Sequence, residues 1–413
     1  MSDIEDANFA WGEAEERPQT AAAGGIAAVL NRFLPALRFG RLRVVLPSGG
    51  AIVRKGAEPG PDATVIFHRG RGLRRLVSGG DVGFAEGYLE GDWTTPDLVA
   101  TLRLASRNEN AWKENLRGAR LVRWVNRLRH VLRGNSRRGS RRNIEAHYDL
   151  GNGFYRLWLD ANMQYSSALW DDAPDLEAAQ ARKLARIGEL LAVTGGESVL
   201  EIGCGWGGLA LSLAERGADV TAITISPSQL AWASRSAAER AKGARVDFRL
   251  QDYRDVSANF DRIVSIEMLE AVGEAWWPAY FGALARCLKS GGRAVIQAIT
   301  IADNIFDDYR RNPDFIQKHI FPGGFLPSKS ALAAQIAAAG LRLAHSETFG
   351  ASYARTLAEW RKRFHAHWPE IEAQGFDQRF RRLWDYYLCY CEAGFAEGVI
   401  DVGLFVLEPA TAG

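Results

Sequence analysis

SVLEIGCGWGGLA (Ser198–Ala210) is the stretch on which the fold turns. Its first five residues, Ser198–Ile202, are the kind of short apolar run that fills a buried parallel strand. Gly203, Gly205, Gly207 and Gly208 then crowd a turn that opens into a helical pattern. Glycines belong where a backbone must turn tightly and let a ligand come close. Downstream, strand patterns at Asp219–Ile225, Arg245–Leu250, Arg262–Ile266 and Arg293–Ile299 alternate with helical stretches. A further strand pattern follows Leu341, then a polar-aromatic helical region 355–388, then a last strand, Val399–Leu407. The alternation predicts an α/β fold: a doubly wound seven-stranded sheet whose two late strands make an antiparallel edge.

Upstream the pattern is different. Leu42–Leu46, Ala51–Arg54 and Ala63–Phe67 are short β-rich runs set off by Gly and Pro. Val82–Trp93 has helical spacing, and Asp97 caps a helix predicted to run through Leu104. Before them an Ala-rich segment, Thr20–Leu37, reads as one helix. Together these form a small α+β N-terminal unit, residues 1–112. Residues 113–142 hold eleven Lys or Arg against one acid, Glu114. Leu121, Trp124, Val125, Leu128 and Leu132 share one helical face, with Arg120, Arg123 and Arg127 on another. Such a helix can lie on an anionic lipid surface or serve as a solvated linker. Nucleic acid is not expected, because no recognition motif accompanies the charge. The third unit is 143–413.

Composition bounds the rest. Over 413 residues, 47% are hydrophobic and 24% charged, and 51 basic residues nearly balance 49 acidic ones, which excludes a general polyanion binder. Four cysteines (Cys204, Cys287, Cys389 and Cys391) lack paired zinc spacing, and so few suit a reducing compartment. No apolar run is long enough to span a membrane, and the first twenty residues lack a secretory pattern. The expected location is cytoplasmic, with any membrane contact made from the surface.

The Gly-rich turn admits two cofactors. G-x-G-x-x-G also marks dinucleotide sites. Glu201, however, stands where those sites usually keep an apolar residue, and it suits a cofactor carrying an ammonium group. The second strand ends AITIS, where a dinucleotide ribose would want an acid. Gln251-Asp252 closes the third strand where an adenine amino group could be held. The combination resembles the S-adenosylmethionine-dependent methyltransferases, whose sheet is Rossmann-like.

Further blocks narrow the resemblance: NIEAHYDLGNGFYRLWLDANMQYSSALW (Asn143–Trp170), ITISPSQLAWA (Ile223–Ala233), QDYRD (Gln251–Asp255), SIEMLEAVG (Ser265–Gly273) and FIQKHIFPGGFLPS (Phe315–Ser328). With the Gly-rich turn, in this order, they resemble the cyclopropane-fatty-acyl-phospholipid synthase family, which includes the mycolic acid cyclopropane synthases. The resemblance implies methylation of the double bond in an unsaturated acyl chain of a membrane phospholipid, with ring closure. It also implies peripheral contact on the inner face of the membrane, recruitment of lipid by residues 1–112, and room for a homodimer.

Bicarbonate enters as an optional second ligand. By the resemblance it would be held by Glu270, the backbone at Ile299, and Tyr353. Two positions depart from the family pattern: Ser167 replaces a cysteine and Gln297 a histidine. Both still offer hydrogen bonds, but neither is a proton shuttle near neutral pH, which puts ring closure in question more than methyl transfer. A branch making methyl-branched or methylene chains is the alternative product class.

The cofactor set is Tyr165, Ser166, Glu201, Gly203, Gly205, Gly207, Thr224, Ser226, Gln229, Gln251 and Asp252. Ser226-Pro227 also reads as a helix cap, a role compatible with ribose contact. Tyr165 and Tyr353 could instead be packed aromatics, and Glu270 a surface acid. His147, His319, His365 and His367 read as structural, and no metal is expected. Trp276, Trp277, Tyr280 and Phe281 should pack in the core. Phe306, Tyr309, Phe315 and Phe321 are the candidates for lining an acyl tunnel.

Overall fold

Two sheets organise the computed structural model, which describes residues 36–109, 150–240 and 245–410. The basic segment 113–142, most of Thr20–Leu37, and His147 lie outside the described residues. The smaller sheet joins β1 (Phe39–Val45), β2 (Ala51–Lys55), β3 (Glu58–Phe67) and β4 (Trp93–Thr94) in the order β2-β1-β3-β4. Along β1 every second residue is buried, so Leu42 and Val44 point into the core.

The larger sheet comprises β5 (Ser198–Ile202), β6 (Asp219–Thr224), β7 (Val246–Leu250), β8 (Phe260–Ile266), β9 (Leu288–Ile301), β10 (Leu341–Thr348) and β11 (Ile400–Pro409). Its order is β10-β11-β9-β8-β5-β6-β7. β5 lies parallel between β6 and β8, with Leu200 opposite both Thr221 and Ile263. β11 runs antiparallel to β9 and to the edge strand β10, so the reversed strand lies next to the edge and the two late strands make that edge antiparallel. Successive connections leave the carboxyl ends of β5, β6, β7 and β8 on one side. That is where ligands sit in open α/β sheets.

Two local expectations differ from the structure. The helix predicted over Val82–Trp93 is longer at its start, Gly70–Leu89, and breaks at Gly80, whose φ of 59° and ψ of −136° no helix permits. Trp93 has left it for β4. The region 355–388 divides into helices Gly350–Ala366, Trp368–Glu372 and Gln378–Ala396. Pro369 starts the second, and Asp377 accepts from the Phe380 N–H to cap the third.

The small sheet does not carry a separate core. Leu42, Val44, Phe67 and Trp93 belong to one buried cluster with Trp158, Trp360, Trp384 and Phe364. Fully burying such a ring contributes ~1.5–3 kcal/mol each. Polar links cross the same boundary. Tyr88 Oη donates to Asp385 Oδ2 at 2.7 Å and Lys318 Nζ pairs with Glu86 at 2.7 Å. Arg103 and Arg107 both clasp Glu397. The N-terminal unit therefore walls one side of whatever lies at the ends of the strands.

Candidate active site

The Gly-rich turn is anchored before it meets any ligand. Gly203 N–H and Cys204 N–H both donate to Ile223 O, at 2.9 and 3.0 Å, which pins the turn to the end of β6. Gly203, Gly205 and Gly207 all have positive φ (80°, 52° and 87°), where L side chains are strained. Their surroundings differ. A Cβ on Gly205 would meet no atom of the described residues within 4 Å, whereas one on Gly207 would stand 2.9 Å from Ala233 and Phe248. Gly203 and Gly205 line a cavity; Gly207 is a packing position.

That contrast gives a paired prediction. Gly205→Ala should cost ~1–2 kcal/mol of stability for the left-handed backbone, yet lower cofactor affinity at least ~10-fold by filling the cradle. Gly207→Ala should lose a further ~1–3 kcal/mol from overpacking. Thermal melts with calorimetric titration of both variants check this. Equal cofactor affinity in wild type and Gly205→Ala contradicts the cradle.

The cavity, about 710 Å³, is lined from both units. Around its polar end stand Tyr165, Ser166, Glu201, Thr224, Gln229, Gln251 and Asp252. Glu201 is buried, and its Oε2 has no hydrogen-bond partner among the described residues. Burial pushes its carboxyl up to about 8. A buried acid with one oxygen left unpartnered among the described residues, beside an open glycine, fits the amino group of the expected cofactor. Thr224 Oγ1 donates to Gln229 Oε1 at 3.0 Å. Ser226 does not line the cavity; its Oγ accepts from Gln229 N–H at 3.3 Å, the cap role. Asp252 is held by Arg254 in a two-point ion pair, with N···O distances of 2.6 and 2.8 Å.

The five residues assigned to bicarbonate fall into two groups. Glu270 Oε1 accepts from Ile299 N–H at 2.6 Å, and its Oε2 is buried without a partner among the described residues. Burial first, then the neighbouring Glu267 charge, push Glu270 up to about 8. The other three surround Glu267. Ser167 N–H and Gln297 Nε2 donate to its Oε1 at 2.9 and 2.7 Å, and Tyr353 Oη donates to its Oε2 at 2.7 Å. The Ser167 hydroxyl turns away to Ala168 O at 3.0 Å, so only its backbone reaches the cluster. Neither Ser167 nor Gln297 lines the cavity, while Glu267, Glu270, Ile299 and Tyr353 do. The donors assigned to bicarbonate by resemblance are thus spent on a side chain, and the set does not fit that ion.

Sequence reasoning missed two groups. Glu267 was visible only as a neighbour of Glu270. Lys183, on the helix Leu176–Leu190, is fully buried and donates to Ser166 Oγ at 2.7 Å. Burial lowers its pKa to about 8, while Glu267, Asp160 and Glu201 oppose that fall. The site is therefore a buried cation among three acids, open on one side to the cavity.

Beyond the carboxylates the walls become apolar. Tyr309 and Phe321 line the cavity; Phe306 and Phe315 instead pack against Phe325 and against Tyr386. Trp277, Tyr280 and Phe281 are core residues as expected, but Trp276 faces the cavity. The lining continues through Val65, Phe67, Leu42 and Val44 of the small sheet. Tyr165 both packs against Trp158 and Trp360 and lines the cavity, its hydroxyl 2.9 Å from that of Tyr387. His319 and His365 engage Glu86 and Asp385, and among the described residues no group of acids, Cys and His gathers as a metal site.

The family model "Mycolic acid cyclopropane synthetase" matches residues 135–405. Tuberculostearic acid methyltransferase UfaA1 of Mycobacterium tuberculosis is 36% identical over 95% of this chain and 93% of its own length. Cyclopropane-fatty-acyl-phospholipid synthase of Escherichia coli is 38% identical over 78% of this chain and 82% of its own. Among solved structures, the mycolic acid cyclopropane synthase CmaA1 complexed with SAH and CTAB has 28% identity and a TM-score of 0.60, covering 65% of this chain and 97% of that one.

Proposed function

Because the chain belongs to the mycolic acid cyclopropane synthetase family, and is an S-adenosylmethionine-dependent methyltransferase of the cyclopropane-fatty-acyl-phospholipid synthase type, we propose that it methylates the double bond of an unsaturated fatty acyl chain of a phospholipid and closes it to a cyclopropane. The observation that carries this reading is the continuity of the cavity, about 710 Å³. It joins the Gly205 cradle and Glu201 to the Glu267–Glu270 pair, and then runs between apolar walls into the small sheet. A hydrocarbon tail and a polar cofactor could meet there out of water.

When bound, S-adenosylmethionine supplies a methyl group electrophilic enough for an alkene, which has no proton to remove for activation. Glu201, Gly203 and Gly205 would hold its amino-acid end, and Thr224, Gln229, Gln251 and Asp252 its nucleoside. The chain's own task is to keep the acyl carbon against that methyl and to shelter the positive charge that then forms on the acyl chain. Tyr165, Trp276, Tyr353 and Phe321 are among the residues that line the cavity. Aromatic faces stabilise a cation, and exclusion of water prevents its capture. One proton must then leave the new methyl group to a nearby acceptor.

A second reading has its own support. If the proton leaves at once, the ring closes. If it leaves late, a hydride can shift first and yield a more substituted cation, which then collapses to a methylene chain. Gln297 cannot relay a proton, and the first-named relative is a tuberculostearic acid methyltransferase. Both favour the late outcome.

Within the same proposal, residues 1–112 recruit lipid and the protein acts peripherally at the inner face of the membrane. The small sheet's share of the cavity wall supports this. Among the described residues no helix is long and apolar enough to cross a membrane.

The test is release of S-adenosylhomocysteine with vesicles of dioleoyl-phosphatidylglycerol against its saturated distearoyl counterpart. Turnover is expected only with the unsaturated lipid, with acyl chains heavier by one methylene. Hydrogenation of the recovered chains separates ring from methylene. Equal turnover on both lipids would refute the olefin as acceptor.

A pH prediction follows from the two carboxyls pushed up to about 8, Glu201 and Glu270. A cation binding beside a carboxylate favours its ionised form. Below about pH 8 the cofactor must therefore displace protons, so its affinity falls as pH drops from 9 to 6, by up to ~10-fold per unit for each proton displaced. S-adenosylhomocysteine keeps the ammonium but lacks the sulfonium charge, so its dependence should be shallower. Calorimetry in buffers of different ionisation enthalpy measures the protons released. Affinity independent of pH for both ligands contradicts the site's charge state.

A further inference from the structure

We infer that Glu267 is the proton acceptor of the reaction, a carboxylate built into the chain at the position the family resemblance assigned to bicarbonate. The inference rests on the methyl-transfer reading above and adds to it the identity of the base. Three donors from separate parts of the chain converge on this one side chain: Ser167 N–H, Gln297 Nε2 from β9, and Tyr353 Oη from the helix Gly350–Ala366, at 2.9, 2.7 and 2.7 Å. Those donors are the ones that would have held a free anion, and a side-chain carboxylate meets their geometry instead.

The backbone supports a functional role. Glu267 has a φ of 48°, in the region that favours glycine. Strain of this kind persists where the surroundings over-determine it, and it gathers at active sites. The strained position carries the carboxylate into the cavity wall beside Glu270.

The acceptor capacity also balances. An ionised carboxylate offers about four lone-pair sites. Among the described residues Oε1 accepts two of the hydrogen bonds and Oε2 one, so Oε2 keeps a site for an incoming proton. Burial raises the proton affinity of Glu267, while its three hydrogen bonds and the Lys183 charge hold it back. Burial and the Glu267 charge push Glu270 up to about 8, so the two acids titrate as a coupled pair.

The step balances as follows. The alkene π pair forms the bond to the methyl carbon as the carbon–sulfur pair leaves with sulfur, and the adjacent acyl carbon becomes cationic. Oε2 of Glu267 takes one proton from the new methyl group. The freed C–H pair closes the ring directly, or, if a hydride has first shifted to leave the cation on the methyl-bearing carbon, forms the C=CH2 double bond of a methylene branch. Either way Glu267 ends protonated and returns its proton to water between turnovers.

Full-length wild type, Glu267→Gly and Glu267→Gln are compared in bicarbonate-free buffer, with S-adenosylhomocysteine release and lipid product followed together. Wild type should keep its rate without bicarbonate, changing less than ~2-fold on its addition. Glu267→Gly suits the backbone and so should fold, but should lose at least ~100-fold in turnover, within the range of a general base. Added bicarbonate or formate should restore it at least ~10-fold by entering the vacated space, a readout that a purely structural role would not move. Glu267→Gln fills that space without a base and should be neither active nor rescued. A wild type that stalls without bicarbonate overturns the inference while leaving methyl transfer intact. So does a fully active Glu267→Gln, or a Glu267→Gly that binds S-adenosylhomocysteine normally yet answers to neither anion. A wild type that makes no lipid product with or without bicarbonate overturns the underlying reading and this inference with it.

Discussion

Glu270→Gln is expected to lower kcat by about 100- to 1000-fold, the scale of a lost active-site charge or base, while affinity for S-adenosylhomocysteine stays within ~2-fold of wild type. The reasoning begins with what Gln keeps. Its side-chain oxygen can still accept from Ile299 N–H, the bond Glu270 makes at 2.6 Å. Its volume is the same, so the buried corner beneath Phe325, whose N–H donates to Glu270 O, is undisturbed. What it loses is the ability to ionise. In the free protein burial and the Glu267 charge push Glu270 up to about 8. A positive charge arriving in the cavity pulls that value down, and the newly ionised carboxylate stabilises the cation in a low-dielectric pocket. Glutamine supplies the shape and none of the charge. Rapid-mix measurement of S-adenosylhomocysteine formation, beside equilibrium titration, checks the split. Turnover close to wild type would reduce Glu270 to a packing residue.

The second large effect is expected at Lys183. Its side chain is fully buried, and the charges of Glu267, Asp160 and Glu201 keep its ammonium form available despite burial. Removing one partner from a buried ionic cluster costs ~3–5 kcal/mol, because the remaining charges are left uncompensated. Lys183→Met should therefore lower the unfolding free energy by about that amount. It should also raise the proton affinity of Glu201 and Glu267, weakening cofactor binding at neutral pH and restoring part of it at pH 9. Lys183→Arg keeps the charge and should be milder, though the longer fork has little room. Urea unfolding of all three proteins decides. Wild-type stability in Lys183→Met would mean that the ammonium group does not hold the acids together.

Much of this architecture was legible before the structure. Ser198–Ile202 is mostly apolar and runs straight into the glycine-rich turn, and it is β5 residue for residue. The strands that end at Thr224, Leu250 and Ile266 followed, because parallel strands leave hydrophobic runs that local pattern can find. Less was legible where one residue type serves two purposes. Gly203, Gly205 and Gly207 look equivalent in a string, but only the surroundings separate a cradle from a packing contact. Ser226 likewise reads as ligand or cap until its hydrogen bond to Gln229 is seen.

The carboxylate cluster was the hardest part. Glu267 owes its role to donors 100, 30 and 86 positions away and to a φ that no spacing rule announces. Lys183 sits on an amphipathic helix among other charged residues, where a lysine ordinarily faces water. The departures at Ser167 and Gln297 were visible, but their consequence was not. The compensating acid stands in another block of the chain.

The most direct test of the account supplies S-adenosylmethionine with a trideuterated methyl group to the wild-type protein and dioleoyl-phosphatidylglycerol vesicles, and weighs the recovered acyl chains. The account predicts chains that gain one carbon and keep two of the three deuteriums, the third having gone to a site carboxylate and then to water. Chains that keep all three deuteriums, or label that never reaches the acyl carbon, would contradict it.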